Sequence, residues 1–180
     1  LEIVYGIWFI AHSPLEEVVE KALEECRNHG QVELIPSVSQ LYLDPSSDKV
    51  RQHAFNILTD LNEQEAVPVL IKVLRENREH SEFRNLVSAC WQNGLDYSGY
   101  LEFFVGLVLE DDYDTGIEAF SVVEENIVHL RIDYRNELAR RIKEEIPGTE
   151  KNKIPLLKEL YSVVSIVSPD GLSLDRTNES

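Results

Sequence analysis

One apolar row recurs along this chain at an interval too short for a domain and right for a pair of helices. Val50, Ala54 and Leu58 follow one another at steps of four residues. Val18 and Ala22 precede the first two by 32 residues, and Phe83, Val87 and Trp91 follow all three by 33. His53-Ala54-Phe55 is echoed by Glu118-Ala119-Phe120, 65 residues on, close to two intervals. A period in this range marks stacked supersecondary units, since a single hairpin cannot bury its apolar side alone.

Proline, glycine and capping residues cut the chain at helix-length intervals. Ser13-Pro14 opens a helix that Gly30 closes, with Leu15, Val18, Val19, Ala22, Leu23 and Cys26 on its apolar side. A short helix with Pro36 in its first turn ends at Asp44-Pro45. Ser47 or Asp48 caps the next, whose inward side is Val50, Ala54, Ile57, Leu58 and Leu61. Ala66, Val67, Leu70, Ile71 and Leu74 define another, and a further one runs from a Ser81 cap to Gly94. Helices are expected around 97–110, 114–129, 131–146 and 150–166, with Asp114 capping the second of these. Alternation never persists long enough for a strand. The expectation is an all-α chain: one repeat domain over 1–167 and a flexible tail over 168–180.

The stretch from Glu33 to Leu74 resembles a HEAT repeat running into the next one. Asp44-Pro45 matches the turn of that family's pattern, and Val50-Arg51 with Ala54 matches the opening of its second helix. The match is good over about 31–77 and faint over 96–130, where Thr115 and Gly116 stand in place of Val and Arg. The resemblance implies a right-handed α-α superhelix of about five hairpins. It makes Arg51 structural, in hydrogen-bonded ladders between the turn Asp and the helix Arg of successive repeats. It also points to a protein-binding scaffold, although such a signature fixes fold and not ligand.

Composition narrows the partners. The formal charge is −16 and the isoelectric point is near 4.6. That charge repels nucleic acid phosphate and anionic lipid, so neither nucleic acid nor membrane is expected as a partner. A protein, possibly a basic one, is. Between Arg84 and Arg131 there is no Lys or Arg, while acids gather at Glu102, Glu110, Asp111, Asp112, Asp114, Glu118, Glu124 and Glu125. Arg131, Arg135, Arg140, Arg141 and Lys143 follow at once. This reads either as a solvated face beside a mixed-charge helix with pairs such as Glu137–Arg141, or as an acidic patch steering a basic partner. The two cysteines, Cys26 and Cys90, lie within apolar helical patterns, as expected of buried thiols in a reducing, cytoplasmic compartment. The chain has no methionine, so a processed or partial product is expected.

No catalytic pattern emerges, and neither cofactor nor metal is expected. The five histidines, at 12, 29, 53, 80 and 129, are scattered. The acidic stretch 110–118 misses the EF-hand register, with Gly116 at position five rather than six. Leu101–Leu109 is a nearly continuous apolar run, read as a doubly covered helix in which Phe103 and Phe104 point apart.

A partner is expected on the outward side of the second helix of each hairpin. Those positions are Glu20, Glu24 and Arg27; Gln52, Asn56 and Thr59; Asn85, Ala89 and Gln92; and Ile117, Ser121 and Glu124. The partner-binding set is therefore Glu20, Glu24, Gln52, Asn56, Asn85, Gln92, Ser121 and Glu124, on a polar, acidic surface. The leading function is a non-enzymatic scaffold or adaptor. The alternatives are an acidic, immunity-type inhibitor of a basic toxin or nuclease, and a HEAT-like lyase or glycosylase.

Overall fold

The computed structural model describes residues 32–45 and 47–165. The expected first helix, Glu20, Glu24, Cys26 and the C-terminal tail lie outside the described residues. Those described form helices joined by turns and loops, with no strand among them. They form α1 (Ile35–Leu43), α2 (Asp48–Thr59), α3 (Ala66–Glu76), α4 (Phe83–Gln92), α5 (Leu101–Glu110), α6 (Tyr113–Asn126), α7 (Ile132–Glu145) and α8 (Ile154–Val164). The chain divides into two compact units, Leu1–Gly99 and Tyr100–Ser180.

In the first unit α1 packs on α2 and α3 on α4, while α1 also meets α3 and α2 meets α4. First helix lies on first helix and second on second, so two successive hairpins share one apolar interior. Val50, Ala54 and Leu58 are buried there, as are Ala66, Val67, Leu70, Ile71 and Leu74. Ile57 and Leu61 are only half-buried, and Leu61 falls beyond the end of α2. Ser47 caps α2 by accepting from the Val50 amide. Ser81 does not cap α4. The N-cap position falls to Glu82, whose amide donates to His80 Nδ1 instead. After α4 the chain turns at Gly94, whose φ of +66° is the left-handed conformation that commonly ends a helix. Asn93 fixes that turn, accepting from the Leu95 amide and donating to the Leu58 carbonyl.

The second unit repeats this packing. Hairpin α5–α6 meets hairpin α7–α8 through α5 on α7 and α6 on α8. Leu101, Phe104, Val105, Leu107 and Val108 are buried on α5, and Ala119, Val122 and Val123 on α6. Phe104 points in and Phe103 lies half-buried against it, edge to face. Gly116 stands at a close approach of α5, α6 and α8. A Cβ there would meet Leu156 Cδ2 at 3.2 Å and the Val108 backbone at 3.7 Å. A side chain at this position would require Leu156 to shift by a few tenths of an ångström.

Candidate functional site

Several polar side chains that could perform chemistry hold helices together among the described residues. In the first unit the hub is Glu82. Its Oε2 accepts from the Tyr42 hydroxyl at 2.8 Å and from Asn85 Nδ2 at 2.9 Å, and Arg51 Nη1 lies 3.2 Å from Oε1. The Arg51 guanidinium also sits 5.8 Å from the Tyr42 ring centroid, and Phe55 packs on that ring. The Tyr42 hydrogen bond, then that of Asn85, holds the Glu82 carboxyl below the ordinary glutamate range. Burial, with Glu82 beside it, pushes the Tyr42 phenol up to about 12. A carboxylate so stabilised is a poor base at neutral pH and a good fastener. Arg51 is structural here, and its partner is an acid from the turn before α4. Asp44, the acid of the Asp-Pro turn, accepts instead from Gln40 of its own helix.

The Cys90 thiol is fully buried and donates weakly to the Leu86 carbonyl. Burial pushes it up to about 12, so it carries almost no thiolate.

In the second unit cations close the ends of helices. Lys153, only 7% exposed, donates to the carbonyls of Leu109 and Asp111 at the end of α5. Burial lowers its ammonium from the ordinary lysine range, against the pull of Asp111, Asp112, Glu150 and Glu110. Arg135 donates to the carbonyls of Val163 and Val164 at the end of α8. Arg141 does not pair with Glu137. It reaches across to Glu110 at 3.5 Å and Glu102 at 3.8 Å, while Arg140 makes the pair within the helix, with Glu144. Arg135, Arg140 and Arg141 are thus engaged with α8, with α7 itself and with α5. At the start of α6 the cap is Asp112, not Asp114. Asp112 accepts from the Thr115 amide and hydroxyl, and the bond from that amide holds its carboxyl below the aspartate range.

Of the expected binding residues, Gln52 and Gln92 are exposed, and Asn56 is half-buried, accepting from Gln52. Gln92 donates to Ser88. Asn85 is half-buried and tied to Glu82, so it is part of the fastener. Ala89, expected outward, is completely buried, because α4 is covered without a break from Leu86 to Cys90. Ser121 and Glu124 lie on α6 with Ile117, and here the surface differs in kind.

Tyr113 is 40% exposed, Ile117 39%, Val128 71% and Ile132 62%, the large apolar side chains that face solvent among the described residues. Residues 113, 117, 121 and 124 recur at four- and three-residue steps within an arc of about 80° at 100° per residue, and Val128 follows in the turn Ile127–His129. Asp114, Glu118 and Glu125 occupy the adjacent arc of about 40° on the same scale. Burial, with Glu124 next to it, raises the Glu125 carboxyl above the usual glutamate range. The opposite side of α6, with Thr115, Ala119, Val122 and Asn126, is buried. The expected set missed Tyr113 and Val128. Their off-core spacing from Ile117 was the available signal.

Among the described residues no group of three or more His, Cys, Asp or Glu side chains could hold a metal ion. No helix among them is long and apolar enough to cross a membrane. In comparisons with known proteins, no family model, curated protein or solved structure matches this chain.

Proposed function

We propose that this chain is a non-enzymatic, protein-binding scaffold built from HEAT-like hairpins, which takes a protein partner on acidic helix faces. The α6 face carries this reading, because it leaves apolar side chains in solvent between carboxylates after the interior has been filled. The net charge of −16 supports a basic partner. The stacking of first helix on first helix within each unit supports the hairpin repeat, and a superhelix of about five hairpins is the fold this reading expects. Glu82, Arg51, Lys153 and Arg135 act as fasteners, which supports a structural over a catalytic use of the polar residues.

The experiment is capture of a stoichiometric protein partner from the source cells with the tagged chain, followed by variants of each face. Ser121→Lys with Glu124→Lys, and separately Gln52→Lys with Asn56→Lys, alter exposed or half-buried positions outside the core. Weaker capture of the same protein by at least one pair supports the reading. Capture that neither pair changes, nor Glu20→Lys with Glu24→Lys, overturns it.

A further inference from the structure

We infer that the exposed stripe of α6 is the seat of a basic amphipathic helix, whose apolar row lies along Tyr113, Ile117 and Val128 and whose Lys or Arg flank faces Asp114, Glu118 and Glu125. This rests on the protein-binding reading and names the chemistry of the partner. Three observations select it. Tyr113 and Ile117 lie one turn apart on α6 and Val128 follows just past its end, with Ser121 and Glu124 between them, a spacing that complements another helix and not an extended strand. From residue 113 to 128 the stripe runs for about 22 Å at 1.5 Å per residue, enough for roughly four turns of a docked helix. The acids lie to one side of the apolar row, so they specify which flank of the incoming helix must be basic.

Charge decides among occupants. A second copy presenting its own α6 would set like charges together. An anionic membrane or a nucleic acid would meet the same repulsion. The protruding Val128, with Ile132 at the first residue of α7, extends the apolar row past the end of α6 and gives the incoming helix its farthest anchor.

The test uses the full chain and a synthetic peptide of about 16 residues, long enough to span the stripe. The peptide carries Leu at successive four- and three-residue steps and Lys along one flank. A second peptide has the same composition in permuted order. Fluorescence anisotropy is expected to give about tenfold tighter binding of the patterned peptide, because charge alone cannot distinguish the two. Ile117→Glu with Val128→Glu should erase that preference. Asp114→Lys with Glu125→Lys should weaken binding about tenfold and flatten its salt dependence. Circular dichroism confirms that each variant is folded. Equal affinity for the two peptides, a preference that survives the apolar pair, or no saturable binding of the patterned peptide overturns the inference. A native partner still captured by the Ile117→Glu, Val128→Glu variant also overturns it, while leaving the broader protein-binding reading standing.

Discussion

The ammonium of Lys153 donates to the Leu109 carbonyl at 3.1 Å, tying the residue before α8 to the last turn of α5 across 44 positions. The final carbonyls of a helix have no partner within it, and a cation there also meets the negative end of the helix dipole. Lys153 supplies from another hairpin what a C-terminal glycine motif supplies locally. Lys153→Met keeps the stem and removes the charge. We expect it to cost about 2 kcal/mol, the scale of a hydrogen bond to a charged group that leaves its acceptor unpaired. Urea denaturation measures this, and hydrogen exchange should quicken first at the amides around 107–111. Unchanged stability would mean that solvent caps α5 equally well.

The Glu82 hub makes the first unit sensitive to acid. Its folded carboxyl lies below the unfolded reference of 4.5, so its contribution is present above that value and is lost as pH falls through the folded one. Glu82→Gln should therefore be less stable than the parent at neutral pH, and the gap should close as the solution is acidified. Tyr42→Phe removes the strongest support of the ionised form, so it should move the Glu82 titration upward. Denaturant midpoints taken at a series of pH values decide both. A gap that stays constant with pH would show that the Gln variant loses packing and not charge.

How much of this could be read from the residues depends on range. The row Val50, Ala54 and Leu58 was legible because burial of one helix side is periodic in sequence. The resemblance pointed Arg51 to the turn aspartate, whereas its partner is Glu82, which it meets only when the hairpins of α2 and α4 stack. Lys153 gave no sign of burial. It is one of two lysines within three residues, and only the position of the α5 terminus distinguishes it from Lys151, which is exposed. Ala89 misled for the opposite reason: its periodic position was outward, but α4 is enclosed on more than one side. On α6 the outward side was assigned through Ile117, Ser121 and Glu124. Tyr113 and Val128 join it only once the helix is known to open at Tyr113 and to lead into the turn Ile127–His129.

Gly94 holds φ at +66°, and no neighbouring heavy atom comes within 4 Å of where a Cβ would stand, so any cost of substitution there is conformational and not a clash. Gly94→Ala should lose about 1–2 kcal/mol, the penalty of a left-handed L-residue. Gly94→Asn should lose less, because Asn tolerates that region. Thermal melts of the two variants provide the comparison. Equal losses would point to disruption of the Asn93 bonds to Leu58 and Leu95 instead.

Two aspartates flank Tyr113, and only one of them closes the start of α6. Asp112 has extended backbone and accepts from the Thr115 amide at 3.0 Å, whereas Asp114 lies inside the first turn. Asp112→Ala should then cost about 1 kcal/mol, typical of losing an N-cap. Asp112→Asn should restore most of it, because an amide oxygen caps as a carboxylate does. Asp114→Ala should cost only about 0.3 kcal/mol, the low end for a first-turn charge at a helix dipole. The Asp112 carboxyl is held below its ordinary value of 3.8, so the parent's advantage over Asp112→Ala is full above that pH and shrinks below it. Asp112→Asn, which cannot titrate, should show no such decline relative to Asp112→Ala. Chemical denaturation of the three variants at neutral pH and again at low pH separates cap from charge. A larger loss for Asp114→Ala than for Asp112→Ala would reassign the cap.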